Sequence, residues 1–147
     1  MALKLSTGLR NKMLDTSSLR TIFNLGFLEI WAGTVPTDAD QTTSGATLLV
    51  RISNNNTTTG LTFAATASAG AITKNLAETW SKAAAGTGTA TFYRFVAAGD
   101  TQALSTTEAR IQGTVGLAGA DLNVASMSYA ASTVYTVDSY TISLPTL

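Results

Sequence analysis

The chain has no cysteine and no histidine, and only two of its 147 residues are proline. Without thiol or imidazole, zinc knuckles, cysteine nucleophiles, Ser-His-Asp triads, haem ligation and the ordinary switch near neutral pH are all excluded. Charge is scarce too: charged residues make up 12% of the chain, and nine Lys+Arg balance nine Asp+Glu. A zero formal balance gives no field that would draw the chain onto nucleic acid or an acidic membrane, so neither is expected as a partner. No stretch approaches the roughly 18 apolar residues of a membrane span, and the first residues lack the apolar run of a secretory signal. A protein made in a cytosol is expected. Asn55-Asn56-Thr57 and Asn56-Thr57-Thr58 match a glycosylation pattern but are read as a polar turn.

What is plentiful is small and hydroxylated. Ala, Thr and Ser together make up roughly two-fifths of the sequence, above ordinary usage. A surface kept wet by hydroxyls rather than ions suits a chain that lies largely against other chains. The length fits one domain able to bury roughly 70% of its unfolded surface.

From residue 27 the sequence reads as short runs rich in Thr, Val, Ile, Tyr and Phe, punctuated by Gly, Asn, Asp and Ser. Strands are expected over residues 27–32, 47–52, 61–66, 89–96, 110–115, 122–129, 133–137 and 140–144. In several of them alternation separates an apolar face from a hydroxyl-rich one. Leu48, Val50 and Ile52 oppose Leu49 and Arg51; Ile111 and Val115 oppose Arg110, Gln112 and Thr114; Tyr140, Ile142 and Leu144 oppose Thr141 and Ser143. The expected fold class is all-β, an antiparallel β-sandwich of jelly-roll or Greek-key type. Residues 27–32 show no purely solvent face. A change of phase between Leu122/Val124 and Met127/Tyr129 suggests a bulge near Ala125 and Ser126. Residues 75–85 carry helix formers around Thr79 and Trp80 and read as a helix or an irregular crossing.

Residues 1–16 are expected as an N-terminal arm before a single domain over 17–147. Their apolar spacing starts as alternation (Leu3, Leu5) and turns helical (Leu9, Met13), so no one regular element buries it all. Either a neighbouring subunit covers this segment or it docks back on its own domain. One short helix follows, capped by Ser17 or Ser18, with Leu19, Ile22 and Phe23 on one face and Gly26 as terminator.

An enzyme built from this sequence would rely on carboxylates, Lys, Tyr or Ser/Thr. Asp38 and Asp40 are the natural pair, but Pro-x-Asp-x-Asp ahead of Thr-Thr-Ser-Gly is better read as turn and cap chemistry, and no terminal Glu completes a calcium loop. Glu29 between Phe27 and Trp31 would have a raised pKa if buried; pairing across strands with Arg94 or Arg51, or a place in a subunit contact, is the favoured role. Gly86-Thr87-Gly88 lacks the Gly-Lys-Ser/Thr of a phosphate loop. Trp31, Trp80 and Tyr93 read as core, with a sugar platform as the alternative. No catalytic, metal or cofactor site is expected.

The run Gly26-Phe27-Leu28-Glu29-Ile30-Trp31-Ala32-Gly33-Thr34-Val35-Pro36-Thr37-Asp38-Ala39-Asp40, followed by Ser44-Gly45-Ala46-Thr47-Leu48-Leu49-Val50-Arg51-Ile52, resembles a family of small virion proteins of tailed bacteriophages. Gly60-Leu61-Thr62-Phe63, Ile72-Thr73-Lys74, Thr79-Trp80, Gly88-Thr89-Ala90-Thr91-Phe92-Tyr93-Arg94 and Arg110-Ile111-Gln112-Gly113-Thr114-Val115 extend the resemblance over residues 20–145. It implies a structural subunit on the capsid surface, a decoration or cement protein that binds the major capsid protein lattice as a trimer. A minor head, connector, tail or baseplate component is the near alternative, and a carbohydrate-binding sandwich module the more distant one. On this footing Leu3, Leu5, Leu9, Arg10, Lys12 and Met13 are the expected contacts with shell or neighbouring subunit. Removing residues 2–14 is then expected to leave the rest folded and to abolish capsid retention.

Overall fold

β-Branched and aromatic residues recur in short runs after Gly26, and the chain accordingly builds an all-β core of antiparallel ladders with two short helices at its start. The computed structural model describes residues 3–145. In order, the elements are β1 (Lys4–Leu5), α1 (Thr7–Asp15), α2 (Leu19–Ile22), β2 (Phe27–Gly33), β3 (Ala46–Asn54), β4 (Ala71–Thr73), β5 (Trp80–Ala83), β6 (Gly88–Thr89), β7 (Phe92–Val96), β8 (Arg110–Gly116), β9 (Leu122–Asn123), β10 (Ser128–Tyr129), β11 (Val134–Thr136) and β12 (Thr141–Ser143). One eight-stranded sheet runs β1-β8-β7-β2-β3-β5-β11, with β9 added beside β8; β10-β6 and β12-β4 form separate two-stranded ladders. Among the described residues, only the β8–β9 pairing is parallel.

The apolar phase of the central strands faces the core. Leu28, Ile30, Val50, Ile52, Tyr93, Phe95 and Ile111 are all buried on that side. Phe95 stacks on Tyr140 at 5.7 Å, and Phe63 meets Trp80 edge-on at 5.9 Å. Such contacts stabilise beyond area burial because each ring's edge or offset face meets charge of opposite sign. The Tyr93 and Tyr140 hydroxyls satisfy one another at 3.2 Å. Burial pushes both phenols well above the ordinary tyrosine range.

Several expectations need correction. Residues 61–66 make only isolated bridges, Gly26 to Leu61 and Phe63 to Lys74. Leu61 and Phe63 do turn inward, but the Glu78 carboxylate takes the Thr62 N–H (3.0 Å) and hydroxyl (2.7 Å) that a ladder would use. Residues 75–85 form no helix: Asn75 Oδ1 accepts the Ala77 N–H in a turn, and Trp80–Ala83 then pairs with β11 and β3. Burial of Trp80 in the core overrides the local helix preference. The phase change near Ala125 marks a switch of partner, since β9 joins β8 whereas β10 joins β6. The bulge falls instead between Ile30 and Trp31, which face Val50 and Leu48. It leaves Leu49 unpaired and buried, so the phase of residues 47–52 breaks there. Residues 89–96 divide into β6 and β7.

The short helix is capped by Ser18, whose Oγ accepts the Thr21 N–H, but its left-handed terminator is Leu25 (φ 59°) and not Gly26. Gly26 is required for a different reason. A Cβ there would lie 2.5 Å from the Val96 carbonyl oxygen.

The segment expected as an arm lies against its own domain. β1 pairs with β8 through Lys4–Gln112 and Leu5–Ile111. Ser6 ends that strand and caps α1: its Oγ accepts the Leu9 N–H (3.1 Å) and the Arg110 N–H (2.9 Å) and donates to the Glu108 carbonyl (2.8 Å). Asp40 reinforces the same helix start by accepting the Thr7 N–H (2.8 Å) and hydroxyl (2.7 Å). Ser6→Ala strips the cap and leaves two buried N–H groups without this acceptor. It is expected to cost about 1–2 kcal/mol, read by urea unfolding. An unchanged midpoint would show that the α1–β8 junction contributes nothing to the fold.

Candidate functional site

Two solvent-facing grooves and one buried polar layer stand out. The larger groove, about 400 Å³, runs between the start of the chain and the β4–β12 ladder. Met13, Leu19, Ile72 and Leu144 supply its apolar wall, and Arg20 stands at its edge. Chain geometry explains the exposure. Tyr140 and Ile142 point inward along β12, but Leu144, next in the same phase, lies past the end of the strand and is 54% exposed. Leu14, following Met13 on α1, is 87% exposed.

Of the residues expected to meet a partner, the structure divides the set. Leu9 is fully buried in the chain's own core and is withdrawn from any contact surface. Leu3, Leu5 and Met13 are half-buried against that core, while Arg10 and Lys12 are exposed on α1. Of these only Met13 lines the groove, together with Leu19, Ile72 and Leu144, which the sequence reading did not expect as contacts. Because Leu9 and Ser6 are built into the core, removing residues 2–14 would open it, so truncation no longer separates folding from binding.

The polar layer lies on the other face of the large sheet. Glu29, Arg94, Arg110 and Gln112 occupy neighbouring strands in register and are buried. Irregular segments 34–41 and 97–108 pack over them, and a covering loop must find donors for its carbonyls. The sheet supplies these as side chains. Gln112 Nε2 donates to Pro36 O at 2.8 Å, Arg94 Nη2 to Asp38 O at 3.2 Å and Arg110 Nη2 to Ala103 O at 2.8 Å. Arg110 Nε also donates to Asp100 Oδ2 at 2.7 Å, and Nη2 donates to Glu108. Backbone and hydroxyl donation from Thr101, with the Arg110 guanidinium, outweighs desolvation and holds the Glu108 carboxyl below its usual range.

Glu29 pairs as expected with Arg51, its register partner, at 3.5 Å from Oε1 to Nε. Arg94 is its neighbour on the other side in register, but spends its Nε on Gln112 Oε1 at 2.9 Å. Gln102 Nε2 donates to Glu29 Oε1 at 2.5 Å. Burial raises the Glu29 pKa to about 7, against the pull of Arg51 and Gln102. Burial and the adjacent Arg110 lower that of Arg94 to about 10, leaving it charged at neutral pH. This layer is a structural clasp, closed to solvent.

The remaining candidates resolve into structure. Asp38 Oδ1 accepts the Asp40 and Gln41 N–H groups, closing a turn, and Asp40 is spent on Thr7. Trp31, Trp80 and Tyr93 are at most 5% exposed, so none offers a ring face to a sugar. Gly86 permits close approach: a Cβ there would lie 2.6 Å from Leu48 O, and its N–H donates to Leu49 O at 3.0 Å. Among the described residues, no helix is long and apolar enough to cross a membrane and no group of three or more Asp/Glu is placed to hold a metal. No family model, curated protein or solved structure matches the chain.

Proposed function

We propose that this chain is a structural subunit of a tailed-phage virion, a decoration protein that binds the major capsid protein lattice as a trimer and strengthens the head. The single observation that supports this reading best is the groove between α1–α2 and the β4–β12 ladder, where Met13, Leu19, Ile72 and Leu144 form an apolar wall with Leu14 exposed on the same helix as Met13. Exposed apolar side chains gathered in a groove are where a protein meets another. In the same reading the two small ladders close over the large sheet as the second layer of a jelly-roll- or Greek-key-like sandwich. Arg10, Lys12 and Arg20 are exposed on the two helices beside the groove and provide a polar rim suited to an acidic shell surface. A subunit of this kind stabilises a shell by binding the assembled lattice and not its separated parts, and a trimer multiplies each weak contact.

Leu14→Asp combined with Leu144→Asp tests the assignment, because both side chains are outside the core. The doubly substituted chain is expected to unfold within about 0.5 kcal/mol of the parent. Its co-sedimentation with capsids stripped of the parent is expected to fall at least about tenfold, since two desolvated leucine contacts would be lost. Full retention of the folded variant would remove this surface from the capsid contact. Failure of the parent to bind such capsids would remove the virion assignment itself.

A further inference from the structure

The second groove, about 380 Å³, lies on the large sheet, lined by β3, β5 and the turn at residues 54–59. Its apolar surface comes from Leu48, Ala83, Ala85 and the Phe27 ring. The Arg51 guanidinium sits over that ring at 4.2 Å. Arg51 differs from the other two arginines of the sheet. Arg94 and Arg110 are buried and bonded to loop carbonyls, but the Arg51 side chain is 37% exposed and donates no hydrogen bond among the described residues. Glu29, its ion-pair partner, is wholly buried and does not line the groove, so it lies behind the guanidinium and leaves the outward donors open.

We propose that this groove binds a small organic carboxylate whose charge is carried on a compact apolar body. A guanidinium stacked on an aromatic ring is held in plane and presents a two-donor edge that matches two coplanar carboxylate oxygens. Lys82 adds a second positive charge, its Nζ tied at 2.5 Å to Thr57 O, and no carboxylate lines the groove to oppose an anion. The Thr58 hydroxyl, exposed at the rim, has no partner among the described residues and is placed to bond the ligand. Apolar walls favour an aryl or branched aliphatic body and disfavour a phosphate, whose oxygens point outward on every side. The volume is at the small end of the roughly 300–1,000 Å³ typical of ligand pockets, sized for one ring and not for a length of peptide.

The test is titration of the isotope-labelled full chain with phenylacetate, followed by amide chemical shifts. Saturable shifts are expected at Thr57, Thr58 and Lys82, with phenylacetamide, the uncharged analogue, and inorganic phosphate each binding at least about tenfold more weakly. Arg51→Gln is expected to abolish saturation, and Thr58→Val to weaken it about threefold while leaving the Arg51–Phe27 stack intact. Equal binding of the amide, or phenylacetate binding unchanged in the folded Arg51→Gln chain, would overturn the proposal. So would the absence of saturable shifts with phenylacetate, and tighter binding of phosphate would replace the carboxylate by a simple anion. None of these outcomes depends on capsid binding.

Discussion

Arg110→Met is expected to lower the unfolding free energy by about 3–5 kcal/mol, the range found when one partner of a buried ionic network is removed. Arg110 is fully buried and ties the sheet to the loop at residues 97–108, to Ala39 and Asp40 through Nη1, and to the start of α1. Its Nε bonds Asp100, its Nη2 bonds Ala103 O and Glu108, and its backbone N–H bonds Ser6 Oγ at the start of α1. Met fills much of the same volume, so the loss is electrostatic and not a cavity effect. What remains is a buried Asp100 carboxylate, 0% exposed at its side chain, without its cation. Asp100→Asn in the Arg110→Met background is therefore expected to recover part of the loss, because the uncompensated charge goes. Equilibrium urea unfolding of the single and double variants measures this. Destabilisation below about 1 kcal/mol for Arg110→Met, the level of an exposed ion pair, would show that the clasp over the sheet is solvated in solution.

The core face of the sheet was legible because period-2 alternation is a strong signal wherever one face is dry. Val50 with Ile52, and Tyr140 with Ile142, point where their phase requires. The opposite face was misread for the same reason. Arg110 and Gln112 alternate with Ile111, and alternation alone assigns such residues to water, whereas loops 34–41 and 97–108 cover them. The sequence held a usable signal. With charged residues only 12% of the chain, Glu29, Arg94 and Arg110 all falling inside strand segments is what a buried polar face looks like. Residues 75–85 read as a helix or an irregular crossing because propensity over Ala-rich residues is local, while the Phe63, Phe95 and Tyr140 rings that pack on Trp80 are distant in sequence. Of the larger groove, only Met13 was legible as a contact. The rest depends on Leu144 running past the end of β12 beside a helix that folds back from the other end of the chain.

Glu29→Gln is expected to stabilise the protein, and by an amount that grows with pH. The carboxyl has a pKa of about 7 in the folded chain against 4.5 for the free group, because burial penalises its charged form more than Arg51 and Gln102 favour it. The folded state therefore holds this proton more tightly than the unfolded state. The stability that follows is fully present below pH 4.5, falls as pH rises between 4.5 and 7, and is gone above the folded value. At roughly 1.4 kcal/mol per pH unit, the loss amounts to about 3 kcal/mol. Glutamine keeps an acceptor for the Gln102 amide but has no proton to lose, so the variant and parent should match near pH 4 and diverge until about pH 8. The other titratable neighbours, Asp100, Glu108, Arg51, Arg94 and Arg110, are common to both chains and cancel in the difference. Glu108 in particular pulls the other way, since its depressed pKa contributes stability that is lost as pH falls. Thermal or urea unfolding of the two proteins from pH 4 to 8 gives the difference directly. A constant gap across that range would mean that Glu29 keeps its charge in the fold, and that its contact with Arg51 is an ordinary ion pair reached by water.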